Sequence, residues 1–140
     1  MPSRRMAREL ALQALFSIEI GRRDVAEVLD EYLASYGESE QRLFVKDLVL
    51  GTLEYAHESD LTVGPLLEGW SVDRLPTIDR LLLRMGTFEL HHRPAMPRPV
   101  VINEAVELAK RYSTEGSGRF VNGVLAAVVA VALQGADAKA

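Results

Sequence analysis

Cysteine is absent from this 140-residue chain. That excludes disulfides, thiolate metal sites and cysteine nucleophiles, and it fits a reducing, cytoplasmic setting. Aromatic residues are scarce at 6%, with a single Trp, so the core must be built from aliphatic side chains. The ten Gly and six Pro fall between periodic segments, and there is neither a low-complexity tract nor a recognised repeat. Long hydrophobic runs are lacking too. The longest, Val124 to Leu133, is about half of what a bilayer span requires. The basic start, Met-Pro-Ser-Arg-Arg-Met-Ala-Arg, leads into amphipathic sequence and not into an apolar signal region. The expectation is a soluble protein with no membrane partner. Positive charge is not in excess: 16 Lys and Arg face 20 Asp and Glu, for a net charge of −4. Any nucleic-acid contact therefore has to come from a local patch.

What is present is helical periodicity almost throughout, in about seven segments. Ser3, Asp24, Ser39 and Thr77 stand where helix caps belong, and Gly21 and Gly37 where helices stop. Gly64-Pro65 is expected to kink a short fourth helix, and the proline-rich connector Arg93 to Pro99 to end the fifth. Val100-Val101-Ile102 is β-branched, but it follows a proline and runs into Asn103-Glu104-Ala105, a helix start. The fold class is all-α: about seven helices in two small packed bundles. The division is expected near Gly69, with subdomains 1–69 and 70–135 and a frayed tail at 136–140.

Two helices carry more detail. On the first, Ala7, Leu10, Ala11, Ala14, Leu15 and Ile18 share one face, while Leu12 and Phe16 fall outside it, toward Arg5. Either this helix is buried on two sides, or Phe16 belongs to a contact surface. The last helix is apolar on every side from Val121 to Leu133. It is expected to be central and buried, with Gly123, Ala126, Ala127 and Ala130 admitting a close neighbour.

Catalytic chemistry finds no support. Adjacent His91 and His92 project about 100° apart on a helix, unlike a chelating i, i+4 pair, and no H-E-x-x-H motif occurs. Gly116-Ser-Gly118 lacks the third glycine of a dinucleotide fingerprint and the Gly-Lys-Ser/Thr of a P-loop. Ser117 has no visible base partner, and Glu104 with Glu107 reads as a solvated face. The chain is read as a non-enzyme with no catalytic residue, cofactor or metal.

Two local patches point to binding instead. Arg4, Arg5 and Arg8 lie on adjacent turns at the N-terminus of the first helix, where positive charge opposes the helix dipole and so does not serve stability. Each could neutralise a phosphate. The second patch flanks the loop Ser113-Thr-Glu-Gly-Ser-Gly118: Lys110 and Arg111 precede it, and Arg119 and Phe120 follow. Cations beside an aromatic at a helix start make a candidate RNA contact.

These segments, taken in order, resemble the bacterial NusB family of transcription antitermination factors. The resemblance runs from Arg4 to about Val129 and is carried by four stretches. They are Arg4-Arg-Met-Ala-Arg-Glu-Leu-Ala-Leu-Gln-Ala-Leu-Phe16, Ile78-Asp-Arg-Leu-Leu-Leu-Arg-Met-Gly-Thr-Phe-Glu-Leu90, Val101-Ile-Asn-Glu-Ala-Val-Glu-Leu-Ala-Lys110 and Phe120-Val-Asn-Gly-Val-Leu125. It implies an all-α fold and binding to the single-stranded boxA element of nascent ribosomal RNA, together with the ribosomal small-subunit protein NusE. Other Nus factors and RNA polymerase would be reached indirectly.

By the same resemblance, the family's arginine-rich segment matches Arg4, Arg5 and Arg8. Its second RNA-facing region matches Ser117, Arg119, Phe120 and Asn122, and Phe16 and Asp79 match positions that face NusE. The loop departs from the family pattern at Gly116, where relatives carry an acid, and at Gly118, where they carry a polar or basic residue. Two other readings compete: a self-associating helical module, such as a homodimer, that binds no RNA, and a stand-alone relative of the helical domain fused to ribosomal RNA cytosine methyltransferases.

Overall fold

A computed structural model of the chain describes residues 3–139; side chains from 136 onward and residue 140 lie outside that description. The described residues form seven α-helices and two 3-10 turns, with no strand. Two compact units are separated between Glu54 and Tyr55. The division expected near Gly69 thus falls inside the second unit. Its physical reason is α4 (Ala56–Val63), which packs against α5 (Thr77–His92).

The first unit holds α1 (Arg4–Ile20), α2 (Val25–Leu33) and α3 (Glu40–Glu54), with α1 packed against both others. The three expected caps form. Ser3 Oγ accepts from the Met6 amide, Asp24 Oδ2 from the Glu27 amide and Ser39 Oγ from the Arg42 amide, each satisfying a donor that has no partner within its helix. Because α1 has neighbours on two sides, Leu12 is buried along with Ala7, Ala11 and Leu15, whereas Phe16 remains 38% exposed. Both alternatives for this helix therefore hold in part.

The second unit holds α4, α5, α6 (Arg98–Tyr112) and α7 (Ser117–Lys139). Gly64-Pro65 ends α4 in a 3-10 turn, Gly64–Leu66, and a second turn, Val72–Arg74, follows Trp70. Pro76, not Thr77, occupies the cap position of α5. Phe88, Leu82, Leu83, Val101 and Leu125 are fully buried side chains of this unit, each contributing roughly 1.5–3 kcal/mol of burial.

The expectation that α7 is buried all round is not met. Val121, Val124, Leu125 and Val128 are buried on the side that packs against α5 and α6. Gly123, Ala126 and Ala130 are exposed, as are Val131 and Leu133. A side chain added at Gly123 would meet open space, so its small size serves no close approach. The backbone stays helical through Lys139 where a frayed tail was expected. By length and composition alone, Ser117–Gly135 could cross a membrane. The longest unbroken apolar run within it, Val124 to Leu133, is shorter than a bilayer span. The side of α7 bearing Val121, Val124, Leu125 and Val128 is seated on α5 and α6, as in a one-sided helix of a bundle.

Candidate nucleic-acid interface

The N-terminal arginines divide by burial. Arg4 and Arg5 are exposed, but Arg8 is 2% exposed. The guanidiniums of Arg4 and Arg8 lie 4.8 and 5.1 Å from the centre of the Phe44 ring on α3. Phe44 thus holds two cations over its ring, an arrangement worth about 2 kcal/mol or more where the cation is desolvated. This corrects the expectation that all three arginines present equivalent phosphate contacts: Arg8 fixes α1 against α3, and Arg4 and Arg5 are the exposed positive charges. Phe16 lies three turns further along α1, part-exposed as a partner-facing aromatic would be.

In the second unit the loop between α6 and α7 is organised around Asp79. Its carboxylate is 4% exposed and accepts from Ser113 Oγ and, at 3.1 Å, from Ser117 Oγ. Ser117 Oγ also lies 2.8 Å from Thr114 Oγ1 and 3.1 Å from Ser113 Oγ. Both residues take on a structural role as a result. Asp79 is almost wholly buried at the floor of the groove that Trp70 and Phe120 line, and its oxygens accept from two hydroxyls of the fold. Ser117, 2% exposed, anchors the first turn of α7 and does not reach outward. Buried hydroxyls need such acceptors, since an unsatisfied one costs about 1–3 kcal/mol.

The loop's two glycines have distinct geometry. Gly116 has φ +90°, a backbone region that side chains rarely adopt, and no atom would touch a Cβ there. Gly118 is buried beneath Lys110, whose Cγ stands 2.9 Å from where a Cβ would sit. Both departures from the family pattern therefore match the local backbone and packing of this chain.

The anchored turn puts Arg119 and Phe120 at the surface, Arg119 exposed and Phe120 half-buried. Phe120 lines two grooves, of about 310 and 360 Å³. Trp70, 59% exposed, lines both with it, and Arg119 borders the second. Helical periodicity does not single out Trp70, which sits in a non-periodic junction. Its signal is composition: the one Trp of the chain, at a position outside every apolar stripe. Asn122 lines a further groove with Arg98, Pro99, Ile102 and Asn103, while on α7 it stands one turn from Arg119, at i, i+3, and both are exposed.

The NusB family model matches residues 5–130. The chain belongs to the NusB family. Among its relatives, the NusB protein of Myxococcus xanthus is 44% identical over 138 residues, covering 95% of this chain and 98% of its own. The Desulforamulus reducens protein is 39% identical over 123 residues, covering 87% and 86%. Both carry the name transcription antitermination protein NusB. A T. maritima NusB structure superposes with a TM-score of 0.83 at 37% identity, covering 90% of this chain and 89% of that one. NusB from a crystal structure of antitermination factors NusB and NusE in complex with double-stranded RNA gives a TM-score of 0.80 at 29% identity, covering 89% and 94%. The NusB fold is thus common to the chain and its relatives, and the expected all-α class stands.

Proposed function

We propose that this NusB-family chain is an RNA-binding transcription antitermination factor that takes up the boxA element of nascent ribosomal RNA together with NusE. The observation that carries the reading is the surface beside the start of α7. There Arg119, Phe120 and Trp70 line apolar grooves, and the buried Asp79–Ser117 contact holds the turn that displays them. An aromatic with a neighbouring cation stacks a base and neutralises its phosphate without needing a reactive group. Arg4 and Arg5 add exposed charge on α1, and Phe16 remains the exposed aromatic suited to NusE. Relatives named antitermination proteins, and one seen with both NusE and RNA, support the same reading. No catalytic role is assigned.

The test is anisotropy of labelled single-stranded boxA RNA at two salt concentrations, with scrambled and duplex RNA as comparators. Tighter binding to single-stranded boxA, weakening as salt rises, is expected. Equal affinity for the scrambled strand would overturn boxA recognition. Preference for the duplex would replace a single-stranded target with a helical one, as in the solved NusB–NusE–RNA complex.

A further inference from the structure

We infer that Glu58, His91 and His92 form a binding site for a divalent transition-metal ion such as Zn2+. As neighbours in sequence the two histidines diverge, but a third residue alters the geometry. Glu58, on α4, reaches both rings at the end of α5: His92 Nε2 stands 2.8 Å from Glu58 Oε2, and His91 Nδ1 3.5 Å from Glu58 Oε1. The three donor atoms lie within 4.8 Å of one another. Two ligand atoms of one tetrahedral Zn2+, each bonded at about 2.0–2.1 Å, stand roughly 3.3 Å apart. The two imidazoles face different oxygens of the Glu58 carboxylate, and the widest separation in the trio, at most 4.8 Å, has to close by up to about 1.5 Å, a side-chain adjustment, for the three to share one ion.

The site is held in place from behind. The His92 ring stacks on Tyr55 at 3.8 Å between centroids, and Tyr55 stacks on the fully buried Phe88 at 5.9 Å. One ligand ring is therefore positioned by the core. The donors remain open to solvent, with exposures of 22% for His91, 28% for His92 and 46% for Glu58, which leaves room for water to complete the coordination. Two imidazoles and one carboxylate form a borderline-soft donor set, suited to Zn2+, Co2+ or Ni2+ over Mg2+ or Ca2+. Arg93 brings a competing positive charge: it stacks over Phe88 at 4.8 Å, and its Nη1 donates to the His92 carbonyl at 2.6 Å. Glu58 is the one anionic ligand of the trio, so it is the ligand whose removal should cost most. A bound ion would tie α4 to α5 and stabilise the folded chain through linkage.

The experiment is calorimetric titration of the untagged full chain with Zn2+, alongside Co2+ followed by visible absorption. The structure predicts one Zn2+ per chain, a tetrahedral Co2+ spectrum and a higher Tm with Zn2+. Glu58→Gln and His91→Ala should each weaken binding by at least about tenfold, with the helical circular-dichroism signal unchanged. His57→Ala, which removes the third histidine of the chain, should leave binding as it is. Absence of saturable binding, or binding that Glu58→Gln and His91→Ala leave intact, would overturn the site.

Discussion

Ser117 Oγ donates to Asp79 Oδ2 across 3.1 Å, tying the first turn of α7 to the first turn of α5. The same carboxylate accepts from Ser113 Oγ, so one buried acid secures both ends of the loop that carries Gly116. Replacing it by Ala should leave Ser113 Oγ without that acceptor, while Ser117 Oγ keeps Thr114 Oγ1 and Ser113 Oγ within reach. We expect Asp79→Ala to lower unfolding stability by about 1–3 kcal/mol in urea denaturation and to weaken boxA binding through the loop. Affinity for NusE should change less than with Phe16→Ala. If Asp79→Ala abolished NusE binding while stability held, Asp79 would be a partner contact after all.

Arg5 and Arg8 should separate in mutagenesis. Arg5→Ala removes an exposed charge and should lower stability by no more than about 1 kcal/mol, the scale of an exposed charge contact, while reducing the salt slope of RNA binding by about one. Arg8→Ala removes a buried cation from the Phe44 ring and should lower stability by about 2 kcal/mol. Paired denaturation and anisotropy measurements on both variants decide the matter.

Much of the fold was legible in the sequence because its signals are local. Ser3, Asp24 and Ser39 each cap the helix they precede, and apolar spacing on α1 picked out Ala7, Ala11 and Leu15 as core. What escaped depends on neighbours far along the chain. Nothing near Arg8 in sequence shows that Phe44 will cover it, and nothing near Asp79 shows that Ser113 and Ser117 will occupy its oxygens. The outward side of α7 differs for two reasons: Ala and Gly count as apolar in a wheel yet carry too little surface to require burial, and Val131 and Leu133 lie beyond Val128, the last buried position of the helix among the described residues. Trp70 was missed because a junction between 3-10 turns has no period on which to place it.

Gly116 offers a test of the loop backbone. With φ +90° and no atom near the position an added methyl would take, Gly116→Ala should cost about 1–2 kcal/mol purely through conformation. A variant as stable as the parent would show that the turn relaxes freely.

Trp70 gives a direct optical readout, since no other Trp contributes to the emission. Adding boxA RNA should quench its fluorescence, and Trp70→Ala should weaken binding by about 1–3 kcal/mol. RNA binding with unaltered emission would place the strand away from the Trp70 and Phe120 grooves.

The central claim is joint recognition of RNA with a protein partner. Titrating labelled single-stranded boxA RNA into the chain with and without saturating NusE tests it most directly. The account predicts that NusE tightens binding by more than about tenfold, corresponding to about 1.4 kcal/mol of coupling, and that Phe16→Ala diminishes this gain while Arg119→Ala weakens binding in both arms. Identical affinity in the presence and absence of NusE would contradict it.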